Sequence, residues 1–304
     1  MAFDAFALIL AMLALGMLLA RLRALPVETP DVLNRVVLYL CLPAAVLLYV
    51  PRLRLDRSLL AIAATPWLLM LAAVAMVWLV ARALRLARPV QAVLLVCVAL
   101  SNSSFVGYPM IRALLGEQAL PYAVVYDQFG TFVLLSSYGL AVLARYSGEH
   151  PPGWREIVAR MGRFPPLWAL LFALLAMPTD PPGWIGAALQ RLADCMLPLV
   201  MLAVGFSLRL RLPREELAPL AVGLALRLLV LPALALGLSR LLGLHGAMLQ
   251  ANVLESAMPV MITAGALAIS HNLAPRLAAA LVGYSLLLSL ATLPAWAWLL
   301  QRLG

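Results

Sequence analysis

Apolar residues run along this chain in blocks of about twenty, and charged residues fall mostly between the blocks. A helix needs roughly 20 apolar residues, within a range of about 17–25, to cross a bilayer. Blocks bounded by charge, Pro and Gly predict ten spans, at 3–20, 33–50, 58–81, 90–115, 119–144, 164–177, 185–206, 217–241, 246–270 and 275–300. The sixth is short, and PTDPPGW (178–184) after it is placed at the interface. Lipid offers no partners to main-chain groups, and the alternation of a barrel strand is absent, so the spans are helical. The longest loop, RYSGEHPPGWREIVARMGR (145–163), is too short for a folded domain. It divides the chain into a first five-helix repeat (1–144) and a second (164–304).

The fourth block is interrupted. After VQAVLLVCVAL comes SNSSFVGYP (101–109), which sets Asn102, Ser103, Gly107 and Pro109 inside an apolar run. A shift of 150 residues lays it on ANVLESAMP (251–259), so that Asn102 meets Asn252 and Pro109 meets Pro259. LCLPAAVL around Pro43 and CMLPLVML around Pro198 form a second pair, in the second span of each half. A repeat with an odd number of spans enters the bilayer in opposite orientations, which predicts an inverted-topology transporter.

Proline removes an amide donor and clashes with the carbonyl four residues back, so each stretch is expected to bend or break its span. That frees carbonyls near Phe105 and Glu255, while Gly107 and Ala257 leave the backbone room to approach something. A half-helix N-terminus at mid-membrane carries roughly half a positive charge and suits an anion. Asn102, Ser103, Gly107, Pro109, Asn252, Glu255 and Pro259 are therefore the candidate substrate-binding residues. The alternative is that proline kinks and small polar residues serve only helix packing.

Composition supports the membrane assignment: 65% of the 304 residues are hydrophobic and 12% are charged, with a mean hydropathy of +1.00. No soluble core absorbs that much apolar surface. The net charge of +9 comes from a chain whose 22 basic residues are all arginine. They cluster between apolar runs, as topology determinants do, and form no basic face with interleaved aromatics, so no nucleic acid partner is expected. Loops after the odd-numbered spans carry fourteen arginines (21, 23, 35, 82, 85, 88, 145, 155, 160, 163, 209, 211, 214, 276), against seven (52, 54, 57, 112, 191, 240, 302) on the other side. Both termini are thus expected outside the cytoplasmic membrane. The N-terminal run has Asp4 before it and arginines after it, the reverse of a secretory signal, and reads as a retained span. Cys41, Cys97 and Cys195 lie in apolar runs without CxxC spacing, and the three histidines are scattered, so no metal site or other cofactor is expected.

Among the charged residues within predicted spans, three are candidates for a part in transport. Glu255 is costly at mid-bilayer, by about 2.5–3.5 kcal/mol; it serves as a proton-coupling carboxyl or cation partner, or is a neutral acid bonded to a freed carbonyl. Asp127, in YDQFG, titrates with transport or bonds Tyr126 or Asn102. Arg227 neutralises Glu255 or Asp127, attracts an anionic substrate, or snorkels to the interface. The signatures HExxH, GxSxG, GxGD and GxxxxGK[ST] are missing, which argues against an intramembrane enzyme and against ATP as the driver. No appended signalling domain favours a receptor.

N-x-x-F-x-G-x-P (102–109) followed by LLGEQAL (114–120), the E-x-x-x-P of ESAMP, the paired Pro43 and Pro198 and the five-plus-five layout together resemble the auxin efflux carrier family, within the bile acid/arsenite/riboflavin transporter superfamily. The resemblance covers nearly the whole chain. It implies ten spans with outward termini, the fourth and ninth broken and crossing beside the substrate. It also implies a scaffold of spans 1, 2, 6 and 7, often dimerising, and an elevator of spans 3–5 and 8–10. Substrates would be organic anions: auxin in plants, and malate, malonate or other carboxylates in bacteria. The family's crossover positions fall on Asn102, Pro109, Asn252 and Pro259, whereas Glu255 has no assigned counterpart. A gradient of protons, potential or substrate would drive the carrier; a sodium-coupled organic-acid symporter is the rival.

Overall fold

The computed structural model describes residues 2–52, 56, 58–148, 150, 153–207 and 216–303. Among them, regular structure is helical, and the extended pairing is one isolated antiparallel bridge between Ser101 and Val260. In chain order the helices are α1 (Ala2–Leu22), α2 (Thr29–Tyr49), α3 (Ser58–Ala83), α4 (Arg88–Ala99), α5 (103–115), α6 (Glu117–Ser147), α7 (Trp154–Gly162), α8 (Pro165–Leu175), α9 (Gly183–Ser207), α10 (Leu217–Leu241), α11 (Gly246–Ala257), α12 (Ile262–Ser270) and α13 (Pro275–Leu303). The predicted loop 145–163 contains α7.

Six of these, α2, α3, α6, α9, α10 and α13, are long and apolar enough to cross a bilayer unaided. The spans predicted at 90–115 and 246–270 are each two helices joined at an angle-permitting extended segment, so neither half reaches across alone. With its 11 residues, α8 rises only about 16 Å. The molecule is a multi-pass helical membrane protein. Arg54, Arg57, Arg209, Arg211 and Arg214, on which part of the orientation rests, lie outside the described residues.

Proline shapes several helices by widening them rather than breaking them. Wide π-type turns at Val37–Cys41, Ser103–Gly107 and Leu226–Val230 each end two residues before a proline: Pro43, Pro109 and Pro232. The ring has no N–H to give and presses on the carbonyl four residues back. A turn with one extra residue moves that carbonyl aside and lets the helix continue. Leu42 and Leu231 accordingly donate five residues back, to Val37 and Leu226.

Packing is closest between α1 and α9. A methyl added at Gly16 would lie 2.4 Å from the Leu202 carbonyl oxygen, and one at Gly205 would lie 2.3 Å from that of Leu13. The two glycines thus let the backbones touch. Helix α2 packs on α8 and α9; α3 packs on α4, α6 and α10; α11 contacts α6, α10 and α13; α12 lies against α4 and α13.

Helix starts recur at a spacing of 158–159 residues: α3 and α10 at 58 and 217, α4 and α11 at 88 and 246, α6 and α13 at 117 and 275. The sequence comparison used a shift of 150 residues. Under that shift Asn102 and Asn252 coincide, but Asn102 follows its helix break whereas Asn252 lies within α11, ahead of its own.

Candidate substrate site at a helix crossover

The chain leaves the helical conformation at two places. Leu100 is extended (φ −101°, ψ 114°) and Asn102 sits at φ −83°, ψ 61° before α5 begins. The short polar side chains of Ser101, Asn102 and Ser103 compete for main-chain groups and favour such a stop. In the second half, Met258 is extended (φ −59°, ψ 149°) and Met261 likewise (φ −62°, ψ 122°). Here proline is the cause, because the residue before Pro259 is pushed out of the helical region. The two prolines equated by sequence therefore act differently. Pro259 is part of its break, while Tyr108 before Pro109 stays helical (φ −56°, ψ −50°) and the chain has already broken seven residues earlier.

The breaks meet each other. The Asn102 N–H donates to the Pro259 carbonyl at 2.9 Å, and the Met261 N–H to the Leu100 carbonyl at 3.1 Å. These bonds form the Ser101–Val260 bridge. The Val260 N–H donates to Ser285 Oγ at 3.0 Å. Each non-helical segment thus supplies partners that lipid cannot.

Helix ends of opposite sign meet near this crossing. The carbonyl ends of α4 and α11 converge on Arg227, which is 2% exposed. Its Nη1 donates to Val98 O at 3.0 Å, Nε to Met258 O at 3.1 Å, and Nη2 to Ser256 O. A guanidinium at two helix C-termini offsets their negative ends. The sequence offered Glu255, Asp127 or a substrate anion as its partner; its hydrogen bonds go to main-chain carbonyls.

The N–H ends of α5 and α12 face a cavity of about 100 Å³, lined by Asn102, Ser104, Asp127, Met261 and Thr263 among others. Helix α5 makes its first main-chain bond from Gly107 back to Asn102, and α12 from Gly265 back to Met261. The first N–H groups of both helices are therefore free of helical acceptors. Asn102 Nδ2 is buried without a partner. Phe105, Phe132 and Phe164 also line the cavity, and the last two rings stack at 3.6 Å.

Asp127, carried on α6, binds the start of α5. Ser103 Oγ donates to its Oδ1 at 2.6 Å, and Tyr108 OH and Gln128 Nε2 to its Oδ2 at 3.1 and 2.8 Å. Its partners are Ser103 and Tyr108 rather than the expected Tyr126 or Asn102. Glu255 packs over Gly107, where an added methyl would lie 2.5 and 2.7 Å from its two carboxylate oxygens. Both oxygens are buried and lack hydrogen-bond partners.

Asn252 stands apart from the cavity. Its Nδ2 donates to Thr65 Oγ1 at 2.9 Å and Ser239 Oγ at 2.8 Å, tying α11 to α3 and α10. Ser103, Gly107 and Glu255 are thus brought around the start of α5, Pro109 lines a different cavity beside Arg112, Pro259 pairs with Asn102, and Asn252 belongs to a separate contact. Sequence reasoning missed Ser104, Thr263 and Tyr108. Thr263 is the second residue of a helix opening just after Pro259, a position whose N–H and hydroxyl both reach an anion at a helix start.

The family model for membrane transport proteins matches residues 1–152 and 155–297. The chain is 33% identical over 298 residues to an "uncharacterized transporter" of Methanothermobacter thermautotrophicus, the match covering 95% of each chain. It is 24% identical over 310 residues to an "uncharacterized transporter" of Methanocaldococcus jannaschii, covering 98% of each. Interrupted helices that meet inside a multi-pass bundle are the architecture of a carrier, and the matches run almost end to end. The chain belongs to the membrane transport protein family, that of the auxin efflux carriers, and is a membrane transporter.

Proposed function

We propose that this transporter is a secondary carrier for small organic anions such as malate, malonate or auxin-like carboxylates, working as efflux from the cytoplasm. The observation that carries this is the cavity where two helix N-termini converge beside the unpartnered Nδ2 of Asn102. Partial positive charge and free donors suit a carboxylate. Asp127 shares the cavity, but its oxygens are held by three donors, so the substrate carboxylate sits toward Asn102, Ser104 and Thr263. Asn102, Ser103, Gly107 and Pro259 build the site, with Pro109 behind it on α5; Asn252 supports it from outside the cavity.

Ten passes in two inverted five-helix repeats follow from pairing α4 with α5 and α11 with α12 as interrupted spans, and the 158–159-residue recurrence supports that count. Helices α1, α2, α8 and α9 are the fixed scaffold and the surface of a homodimer. The remaining membrane helices, α3–α6 and α10–α13, move as an elevator that turns the cavity to each side. The chain sits in the cytoplasmic membrane with both termini outside, as the arginine excess argues.

Glu255 is the coupling carboxyl, since its two unpartnered oxygens can take up and release a proton without breaking a hydrogen bond. A sodium ion at the same carboxylate is the second reading. Purified carrier in proteoliposomes distinguishes them: carboxylate flux is measured under imposed proton, sodium and potential gradients. Flux that follows pH and loses that dependence in Glu255→Gln supports proton coupling, and flux requiring sodium supports the rival. No flux of any carboxylate under any gradient contradicts the proposed function.

A further inference from the structure

Helix α7 (Trp154–Gly162), in the loop between α6 and α8, is amphipathic. Trp154, Ile157 and Val158 recur at the spacing of one helical face, while Arg155, Glu156 and Ala159 fall on the remaining surface. Ile157 is half-buried, but Trp154 and Val158 are 70% and 57% exposed. The chain thus leaves most of this apolar face uncovered. Arg155 lies over the Trp154 ring, 5.4 Å from its centroid. Tryptophan and a cation together suit the layer where lipid headgroups begin.

The depth of α7 says what covers the face. The helix packs on α8 and on the Leu135–Gly139 stretch of α6. Just beyond its end, Phe164 stacks on Phe132, and Trp168 Nε1 donates to the Gly162 carbonyl at 2.7 Å. Leu135–Gly139 lies 8 to 12 residues past Asp127, which binds Ser103 at the crossing. At 1.5 Å per residue this is about 12–18 Å along α6, and half of a hydrocarbon core is about 15 Å. With the crossing at the bilayer midplane, α7 sits where hydrocarbon gives way to headgroups. Charge identifies the lipid. Arg145 near the end of α6, Arg155 on α7 and Arg163 after it are all exposed. With Arg160 they outnumber the acids of the same loop, Glu149 and Glu156.

We propose that α7 is a docking surface for anionic phospholipid. Trp154, Ile157 and Val158 enter the boundary of the leaflet on the loop's side, and Arg155 and Arg163 take lipid phosphates. The surface lies on the joint between α6, which moves in the elevator proposed above, and α8, which does not. It takes the crossing as the middle of the bilayer and is independent of the substrate, so its failure leaves the carrier reading untouched.

The test measures depth in the full-length carrier with Cys41, Cys97 and Cys195 replaced and one cysteine introduced, Val158→Cys or Ala159→Cys, each labelled with an environment-sensitive fluorophore. Vesicles are phosphatidylcholine alone or phosphatidylcholine with phosphatidylglycerol. The label at 158 should be quenched by lipid brominated on its acyl chains and shielded from aqueous iodide, and the label at 159 should show the reverse. Phosphatidylglycerol should raise the bromolipid quenching at 158 by about twofold. Arg155→Gln with Arg163→Gln should abolish that rise, and Arg155→Lys with Arg163→Lys should keep it, each at an unchanged thermal midpoint. Shielding of position 158 from both quenchers means that protein covers the face and overturns the proposal. So do equal iodide quenching at the two positions and quenching at 158 that ignores phosphatidylglycerol.

Discussion

Ser101 and Val260, from opposite halves of the chain, face each other as a two-residue antiparallel bridge, closed by the Asn102–Pro259 and Leu100–Met261 main-chain bonds. This pairing fixes the two helix breaks to one point, and every other feature of the site is arranged about it. Residues opposite each other in such a bridge have Cα atoms about 4.5–5.5 Å apart, within the span of a disulfide. In a background with Cys41, Cys97 and Cys195 replaced, Ser101→Cys with Val260→Cys should crosslink under mild oxidation, detected as loss of both free thiols. A crosslink between cysteines placed at Ser101 and Ala257, with the first pair persistently reduced, would contradict the register.

Arg227 should be a stability residue before it is a transport residue. Arg227→Met leaves the carbonyls of Val98, Ser256 and Met258 buried without their donor. Each such group costs about 1–3 kcal/mol. The variant should lose thermal stability by many degrees or fail to accumulate, and Arg227→Lys, with one nitrogen in place of three, should recover only part. A wild-type midpoint in Arg227→Met would remove the clamp.

Much of this was legible from residue order alone. Apolar runs located the long helices to within a few residues; the run 217–241 coincides with α10. The two interruptions were visible as polar and proline-containing stretches. Their mechanics were not, because Pro109 and Pro259 look alike on paper. A π-type turn absorbs Pro109, and the break before it comes from Leu100–Asn102. The hydrogen bonds of Arg227 were hidden for a related reason: they go to main-chain carbonyls, which a sequence never displays. Asn252 matched Asn102 by spacing, but only the fold shows that its amide turns toward Thr65 and Ser239.

Gly107 should not tolerate a side chain. The methyl of Gly107→Ala would meet the Glu255 carboxylate, and overpacking of this kind costs typically about 1–3 kcal/mol. Transport and thermal midpoint should both fall. Adding Glu255→Ala to Gly107→Ala makes room for the methyl, so the double variant should be more stable than Gly107→Ala alone. Additive losses in the double variant would show that the two residues do not touch.

Asn252 and Asn102 should separate in their effects. Asn252→Ala removes two buried hydrogen bonds, those to Thr65 and Ser239, a loss of about 2 kcal/mol. Its thermal midpoint should drop while the KM for substrate stays near wild type. A large rise in KM at an unchanged midpoint would return Asn252 to the substrate site.

The most direct measurement is carboxylate flux through Asn102→Ala in proteoliposomes, with its thermal midpoint recorded alongside. Alanine keeps the main-chain bonds to Pro259 and Gly107 and deletes only the amide at the cavity. The account predicts a folded protein whose flux falls about tenfold or more, the equivalent of roughly 1.4 kcal/mol at the site. Wild-type flux from a stable Asn102→Ala carrier would contradict it.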